Sequence, residues 1–271
     1  MKLEHDSLLR EVDLAADAVF CSHDFYGENH IRIHGHKKGQ LLYTEGGIVH
    51  IISPDKSYFL PARHYMWLPP GVQHGIVANA PGVVLRNLYF PVHENDHPFL
   101  WQTGIYPVTD LLLEMLLFTA RWDGQVYPHQ VEGYTFLMAI KQILPLLGNA
   151  GLPLALPYPK DARLLEVIRY MNKHLDETIR FADLARQFGF SERTLARLFK
   201  KDVAMSFVQF LTLQRIMRAL MLLIEEKKSV NEVAYLVGYN SVPTFSNTFY
   251  HILGSRPSDY LSREGVLNRN M

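Results

Sequence analysis

Two stretches in the last hundred residues repeat each other, and this repeat limits the fold more than any other feature of the chain. "FADLARQFGFSERTLARLF" occupies residues 181–199 and "VNEVAYLVGYNSVPTFSNTF" residues 230–249. In the first, Ala185, Gly189, Ser191, Leu195 and Phe199 follow at steps of 4, 2, 4 and 4 residues. In the second, Ala234, Gly238, Ser241, Phe245 and Phe249 follow at 4, 3, 4 and 4. Each position has a physical reason. A small alanine lets two helices cross closely. Glycine takes the positive φ that ends a helix. Serine accepts from the free N–H groups of the next one. Apolar residues four apart make the stripe that packs back. The unit so built is a helix-turn-helix, present twice, and its second helix is of a kind that enters a DNA major groove.

Charge agrees with that placement. The chain of 271 residues is long enough for two domains and has no net charge. Residues 160–271 nevertheless hold 17 Lys and Arg against 12 Asp and Glu, while residues 1–159 hold 10 against 15 and 11 of the 13 histidines. The basic half is where an anionic partner binds. A single cysteine, Cys21, rules out an intrachain disulfide and fits a reducing compartment. The N-terminus carries acids throughout, unlike a signal peptide. The run "LLLEMLLFTA" is too short and, with Glu114, too polar to span a bilayer. These features predict a cytoplasmic protein with no membrane partner.

The first hundred residues read as strands and turns. "QLLYTEGGIVHIIS" looks like a hairpin through Gly46-Gly47, followed by the runs "SYFL", "YMWL", "GIVA" and "VVLRNLYF". Such spacing suggests a barrel or sandwich. Helices follow at 109–122 and 129–147, and "GNAGLPLALPYPKD" is punctuated like a linker. Leucines cover most of the first helix's circumference, which suggests one side on the barrel and the other on a second copy of the chain.

With the residues of the repeat in view, the sequence resembles the AraC/XylS family of bacterial transcription regulators. The likeness covers about residues 160–262 and is closest at "SERTLARLFKK" and at "VNEVAYLVGYNSVPTFSNTFYHILGSRPSDYL", which closes on Arg256-Pro257 and Tyr260. "HGHKKGQLLY" and "WLPPGVQH" are similar to the two motifs of the cupin sensors that many members carry. The resemblance implies an α+β two-domain chain. It has a cupin-like effector-binding β-barrel over 1–105, a helical dimerisation segment over 106–147, a linker over 148–160, and an all-α domain with two helix-turn-helix motifs over 161–271. A long helix at 206–226 would join the motifs and hold their reading helices about one duplex turn, roughly 34 Å, apart.

Carried over by position, the DNA-binding residues are Ser191, Arg193, Thr194, Ala196, Arg197 and Lys200 in the first motif. In the second they are Ser241, Val242, Thr244, Ser246 and Asn247. Two departures stand out. The family usually has an arginine at Asn247 and a lysine near Tyr250 and His251, so the second motif is expected to hold DNA more weakly. It also has a glycine at Ala204, whose absence strains that turn.

The histidines of the acidic half form the other constellation. In a strand, residues of equal parity share a face, so His34, His36 and Gln40 point one way, and "PPGVQH" brings His74 to the same mouth. Three readings stay open, one of them histidines that are merely solvated or structural. The second is a polar pocket for an organic effector with Tyr43 and Trp67 as walls. The third is a divalent transition-metal site of His34, His36 and His74. Metal-binding cupins usually have a glutamate at Gln40, and an amide leaves the metal's charge uncompensated. Two function classes follow, beside a third possibility of a regulator with no effector that is controlled by its own abundance. The leading one is a non-enzymatic regulator that binds double-stranded promoter DNA as a homodimer, answers a small molecule, and meets RNA polymerase if it activates. The alternative is a cupin metalloenzyme, an oxygenase or isomerase, with a DNA-binding domain attached.

Overall fold

The structure is a computed structural model that describes residues 11–25, 29–45, 48–54, 56–61, 64–78, 83–148, 151, 155–157, 159, 161–224 and 226–261. Contacts divide the chain into two compact units, Met1–Ser53 with Leu60–Pro153, and Pro54–Phe59 with Leu154–Met271. The Gly46-Gly47 turn and much of the 148–160 linker lie outside the described residues.

The first unit is sheet-rich and antiparallel. Its six-stranded sheet runs in the order β10 (Gly124–Val126), β1 (Val19–Phe25), β8 (Val84–Phe90), β3 (Gly39–Glu45), β6 (His64–Leu68), β9 (Gly104–Pro107). A second sheet centres on β7 (His74–Ala78), paired with β2 (Asn29–His34) and β4 (Ile48–Ile52). The hairpin expected across residues 46 and 47 is corrected here. β3 lies between β6 and β8 in one sheet, while β4 pairs with β7 in the other. Among the described residues the strands form two sheets and do not close into one continuous barrel. This is the layered solution for sheets that each have an apolar face to bury.

Strand alternation decides what each face holds. On β3, Gln40 faces the space between the sheets, and Leu41 and Tyr43 face outward. Trp67 pairs with Leu41 and Tyr65 with Tyr43, so their rings share the outer face. Those rings are fully buried, as are Leu112 and Leu116 of α1 (Asp110–Phe118), and full burial of each is worth roughly 1.5–3 kcal/mol. Thr109 starts α1 by accepting from the Leu112 N–H at 3.3 Å. α2 (Val131–Leu147) follows and is anchored by Lys141, whose buried ammonium donates to the Pro91 carbonyl and pairs with Asp96.

The second unit is helical apart from β11 (Ala155–Pro157), which pairs with Lys56–Tyr58 of β5 (Lys56–Pro61). Its helices are α3 (Ala162–Lys173), α4 (Phe181–Gln187), α5 (Glu192–Asp202), α6 (Phe207–Ile224), α7 (Val230–Leu236), α8 (Val242–Leu253) and α9 (Pro257–Leu261). α6 is the central scaffold. It is long and apolar enough to cross a membrane, but Phe210, Leu213, Ile216, Leu220 and Leu223 are among the residues it buries in this unit's core. Arg215 of α6 donates to the Glu177 carbonyl at 2.8 Å and lies 5.7 Å from the centre of the Tyr239 ring, so one side chain reaches both the segment before the first helix pair and the turn inside the second.

Candidate nucleic-acid interface and effector site

The two helix pairs, α4 with α5 and α7 with α8, are punctuated as the repeat requires. Gly189 and Gly238 take φ of 69° and 78°, the left-handed values that turn the chain between helices. The Ser191 hydroxyl accepts from the Thr194 N–H at 3.2 Å, and the Ser241 hydroxyl from the Thr244 N–H at 3.4 Å. Leu195 and Phe199 in α5, and Phe245 and Phe249 in α8, are fully buried. Ala204, where a glycine was expected on resemblance, has φ of 55°, so the strained turn is present.

The opposite face of α5 is open. Arg193, Ala196, Arg197 and Lys200 are exposed, and Thr194 is half-buried. Arg193 and Arg197 sit one turn apart, with Lys200 nearly in line. Among the described residues none of these three cations has an ion pair or a hydrogen bond, so their charge is available to a partner. On α8 the exposed residues include Pro243, Thr244, Asn247 and Tyr250, while Val242 and Ser246 are half-buried. α8 contains no lysine or arginine.

In the first unit the structure brings His34, His36, His74 and Gln40 together between the sheets. The ring centres of His34 and His74 are 4.4 Å apart, and those of His36 and His74 5.3 Å. One ring nitrogen from each histidine falls within 4.8 Å of the others. Backbone carbonyls set the tautomers. The Nδ1 atoms of His34, His36 and His74 donate to Arg32, Lys38 and Val72 at 2.9, 2.6 and 2.9 Å. Each Nε2 is then the acceptor side of a neutral ring, and those of His34 and His74 are buried with no partner. Burial pushes the His74 imidazole down to about 3, aided by neighbouring His34, and lowers His34 and His36 for the same first reason.

His36 Nε2 lies 3.1 Å from the Gln40 amide, which bonds Asn87 at 2.8 Å and the Tyr89 hydroxyl at 3.2 Å. A neutral His36 needs the Gln40 amide to present its N–H, with the Asn87 amide turned over in step. Two buried, unpaired nitrogens, those of His34 and His74, suit a divalent transition metal, and His36 would complete the set once its Nε2 lone pair is released from the Gln40 amide.

Several placements differ from sequence reading. Tyr43 and Trp67, expected as pocket walls, lie on the opposite face of the sheet. The Tyr43 hydroxyl donates to Glu45 at 2.8 Å and the Trp67 indole to the Leu100 carbonyl at 3.0 Å. Tyr43 lies three positions after Gln40, an odd step that reverses the face. Tyr89 takes the wall position, its ring centre 5.0 Å from that of His36. Tyr89 and Asn87 went unread, although a polar Asn inside "VVLRNLYF" was their signal. Parity along β2 also breaks. Ile31 is buried while Ile33 is 55% exposed, because the register with β7 shifts between Ile31 and His34.

Comparison with known proteins bears on the second unit most directly. Residues 184–263 match the family model described as a helix-turn-helix domain. The chain is 27% identical over 250 residues to the HTH-type transcriptional regulator NimR of Escherichia coli (strain K12), covering 92% of this chain and 88% of that protein. It is 27% identical over 169 residues to the HTH-type transcriptional activator RhaS of Klebsiella pneumoniae (strain 342), covering 61% of this chain and 58% of that one. A solved transcriptional regulator with an AraC-type DNA-binding domain, from Chromobacterium violaceum, aligns at 27% identity over 38% of this chain and 95% of its own, with a TM-score of 0.36.

Proposed function

We propose, from the premise that this chain is a transcriptional regulator with an AraC-type helix-turn-helix DNA-binding domain, that α5 and α8 are two reading helices placed in successive major grooves of promoter DNA. The observation that carries this is the open basic stripe Arg193–Arg197–Lys200 on a helix whose other side is buried through Leu195 and Phe199. Arg193 and Arg197 meet guanine edges or phosphates, and Lys200 a phosphate. The first unit is the sensor, a cupin-like sandwich in which His34, His36, His74 and Gln40 form the effector site. The unpaired nitrogens of His34 and His74 support that role. A metal held by the three histidines would act there as a Lewis-acid seat for an anionic group of a small molecule. The protein works in the cytoplasm as a homodimer, and the effector changes how the dimer engages DNA and RNA polymerase. It is a regulator and not an enzyme.

Selection from random duplexes tests the DNA half. The parent enriches one sequence. Arg197→Ala weakens binding by about 1–3 kcal/mol and relaxes one position, while Arg193→Ala with Arg197→Ala abolishes enrichment. Enrichment of no sequence by the parent refutes the reading. For the sensor, His34→Ala with His74→Ala removes the thermal shift given by the metal or effector and leaves DNA selection intact. An unchanged shift refutes that assignment.

A further inference from the structure

α8 offers DNA no lysine or arginine of its own, yet a guanidinium lies on its exposed face. It belongs to Arg256, beyond the helix. Gly254 ends α8 in the left-handed conformation at φ 70°, and the Arg256 N–H then donates to Asp259 at 2.9 Å, which starts α9. The Arg256 backbone is held at both sides, and its side chain folds back over α8. Nη1 donates to the Asn247 side-chain oxygen at 2.9 Å and to the Ser246 carbonyl at 3.4 Å. The guanidinium carbon stands 4.6 Å from the centre of the Tyr250 ring, a side chain 48% exposed. The remaining donors, Nε and Nη2, have no partner among the described residues.

We propose that Arg256, aimed by Asn247 and Tyr250, is the phosphate contact of the second reading helix. This rests on the reading of α8 as a groove-bound helix. Three observations carry it. The guanidinium is exposed and leaves donors free, as a fork on a phosphate requires. It lies beside residues 246–250, past the first turn of α8, whereas base edges are met by the N-terminal part of such helices. Asn247 cannot pair bidentately with adenine while its oxygen accepts from Arg256, so its side chain works as a positioning group. Arg256 thus restores, from outside the helix, the cation missing at Asn247.

The test uses the full-length chain on its selected duplex, with binding measured between about 50 and 300 mM salt. Arg256→Gln lowers affinity by about tenfold near 100 mM and reduces the slope of log K against log salt by about 0.9, the amount for one phosphate. The loss is equal on the selected and on scrambled duplexes, and the 222 nm melting curve does not move. Asn247→Ala and Tyr250→Ala keep the charge but release its aim, so each gives a smaller loss. The double change Asn247→Arg with Arg256→Gln returns the cation to the helix and recovers the slope. Parent-like affinity and slope in Arg256→Gln overturn the proposal. So does a loss confined to one base-pair position, which would make Arg256 a base reader, and so does a lowered melting curve. If the parent selects no duplex, the groove-bound reading of α8 fails and this inference fails with it.

Discussion

Gly189 and Gly238 occupy equivalent turns of the two repeats, so replacing each with alanine isolates the effect of their surroundings. Both have left-handed φ, and an L-residue there costs roughly 1–2 kcal/mol. A Cβ on Gly189 meets nothing within 4 Å, so Gly189→Ala should lose about 1 kcal/mol. A Cβ on Gly238 would stand well inside van der Waals contact of the Leu175 carbonyl oxygen and the Arg215 guanidinium. The carbonyl is backbone and cannot rotate away. Moving the guanidinium sacrifices its bond to the Glu177 carbonyl. Overpacking of this kind adds about 1–3 kcal/mol, for a total near 3 kcal/mol. At 4–8 °C per kcal/mol for a domain near this size, Gly189→Ala melts about 5 °C lower and Gly238→Ala about 15 °C lower. The units can be followed separately. All three tryptophans, Trp67, Trp101 and Trp122, lie in the first unit, while ellipticity at 222 nm follows chiefly the helical second unit. Gly238→Ala should shift the ellipticity transition and leave tryptophan emission where it was. Equal shifts for the two variants would refute the argument, since backbone conformation alone would then explain both.

Three more outcomes follow from the same physics. Ala204→Gly relieves a φ of 55° and should stabilise the second unit by about 1 kcal/mol, raising the ellipticity midpoint by about 5 °C; no gain, or a loss, means the turn carries no strain. Burial lowers the pKa of His23 and His50, and in the metal-free protein those of His34, His36 and His74 also. The unfolded chain then binds more protons below its ordinary histidine pKa near 6.5, so the first unit keeps this stability above that pH and loses it as pH falls; tryptophan emission that is pH-independent from about 7 to 4 contradicts this. Leu111 and Phe118 are 57% and 42% exposed on α1 while Leu112 and Leu116 are fully buried, so Leu111→Glu with Phe118→Glu should dissociate a dimer in sedimentation without unfolding it. An unchanged association constant places the interface elsewhere.

The helical unit was far more legible in sequence than the sheets. Helix punctuation is local: a left-handed glycine, a capping serine and apolar residues four apart act within a dozen positions, and Ala204 revealed its strain by occupying a glycine position. Sheet partners are remote. Nothing within "QLLYTEGGIVHIIS" shows that β3 and β4 belong to different sheets. β1 and β10 pair over a hundred residues apart and went unread, as did β9. Parity brought His34, His36 and Gln40 to one place, but the register shift in β2 means that strict alternation was not the cause. Arg256 was read only as part of a closing signature, because the fold-back that lays it on α8 depends on Gly254 and Asp259 together.

The Arg215 strut between the two helix pairs has a consequence for the genome the protein serves. If α5 and α8 read successive grooves from one α6 scaffold, their separation is not adjustable. One base pair inserted between the two half-sites would displace the second by about 3.4 Å and rotate it by about 35°. Following it would require bending a buried helix or tearing Arg215 from the Glu177 carbonyl. Regulatory sites for this protein can therefore drift by substitution but not by insertion or deletion between the halves. A search for its targets should hold spacing fixed and let the letters vary.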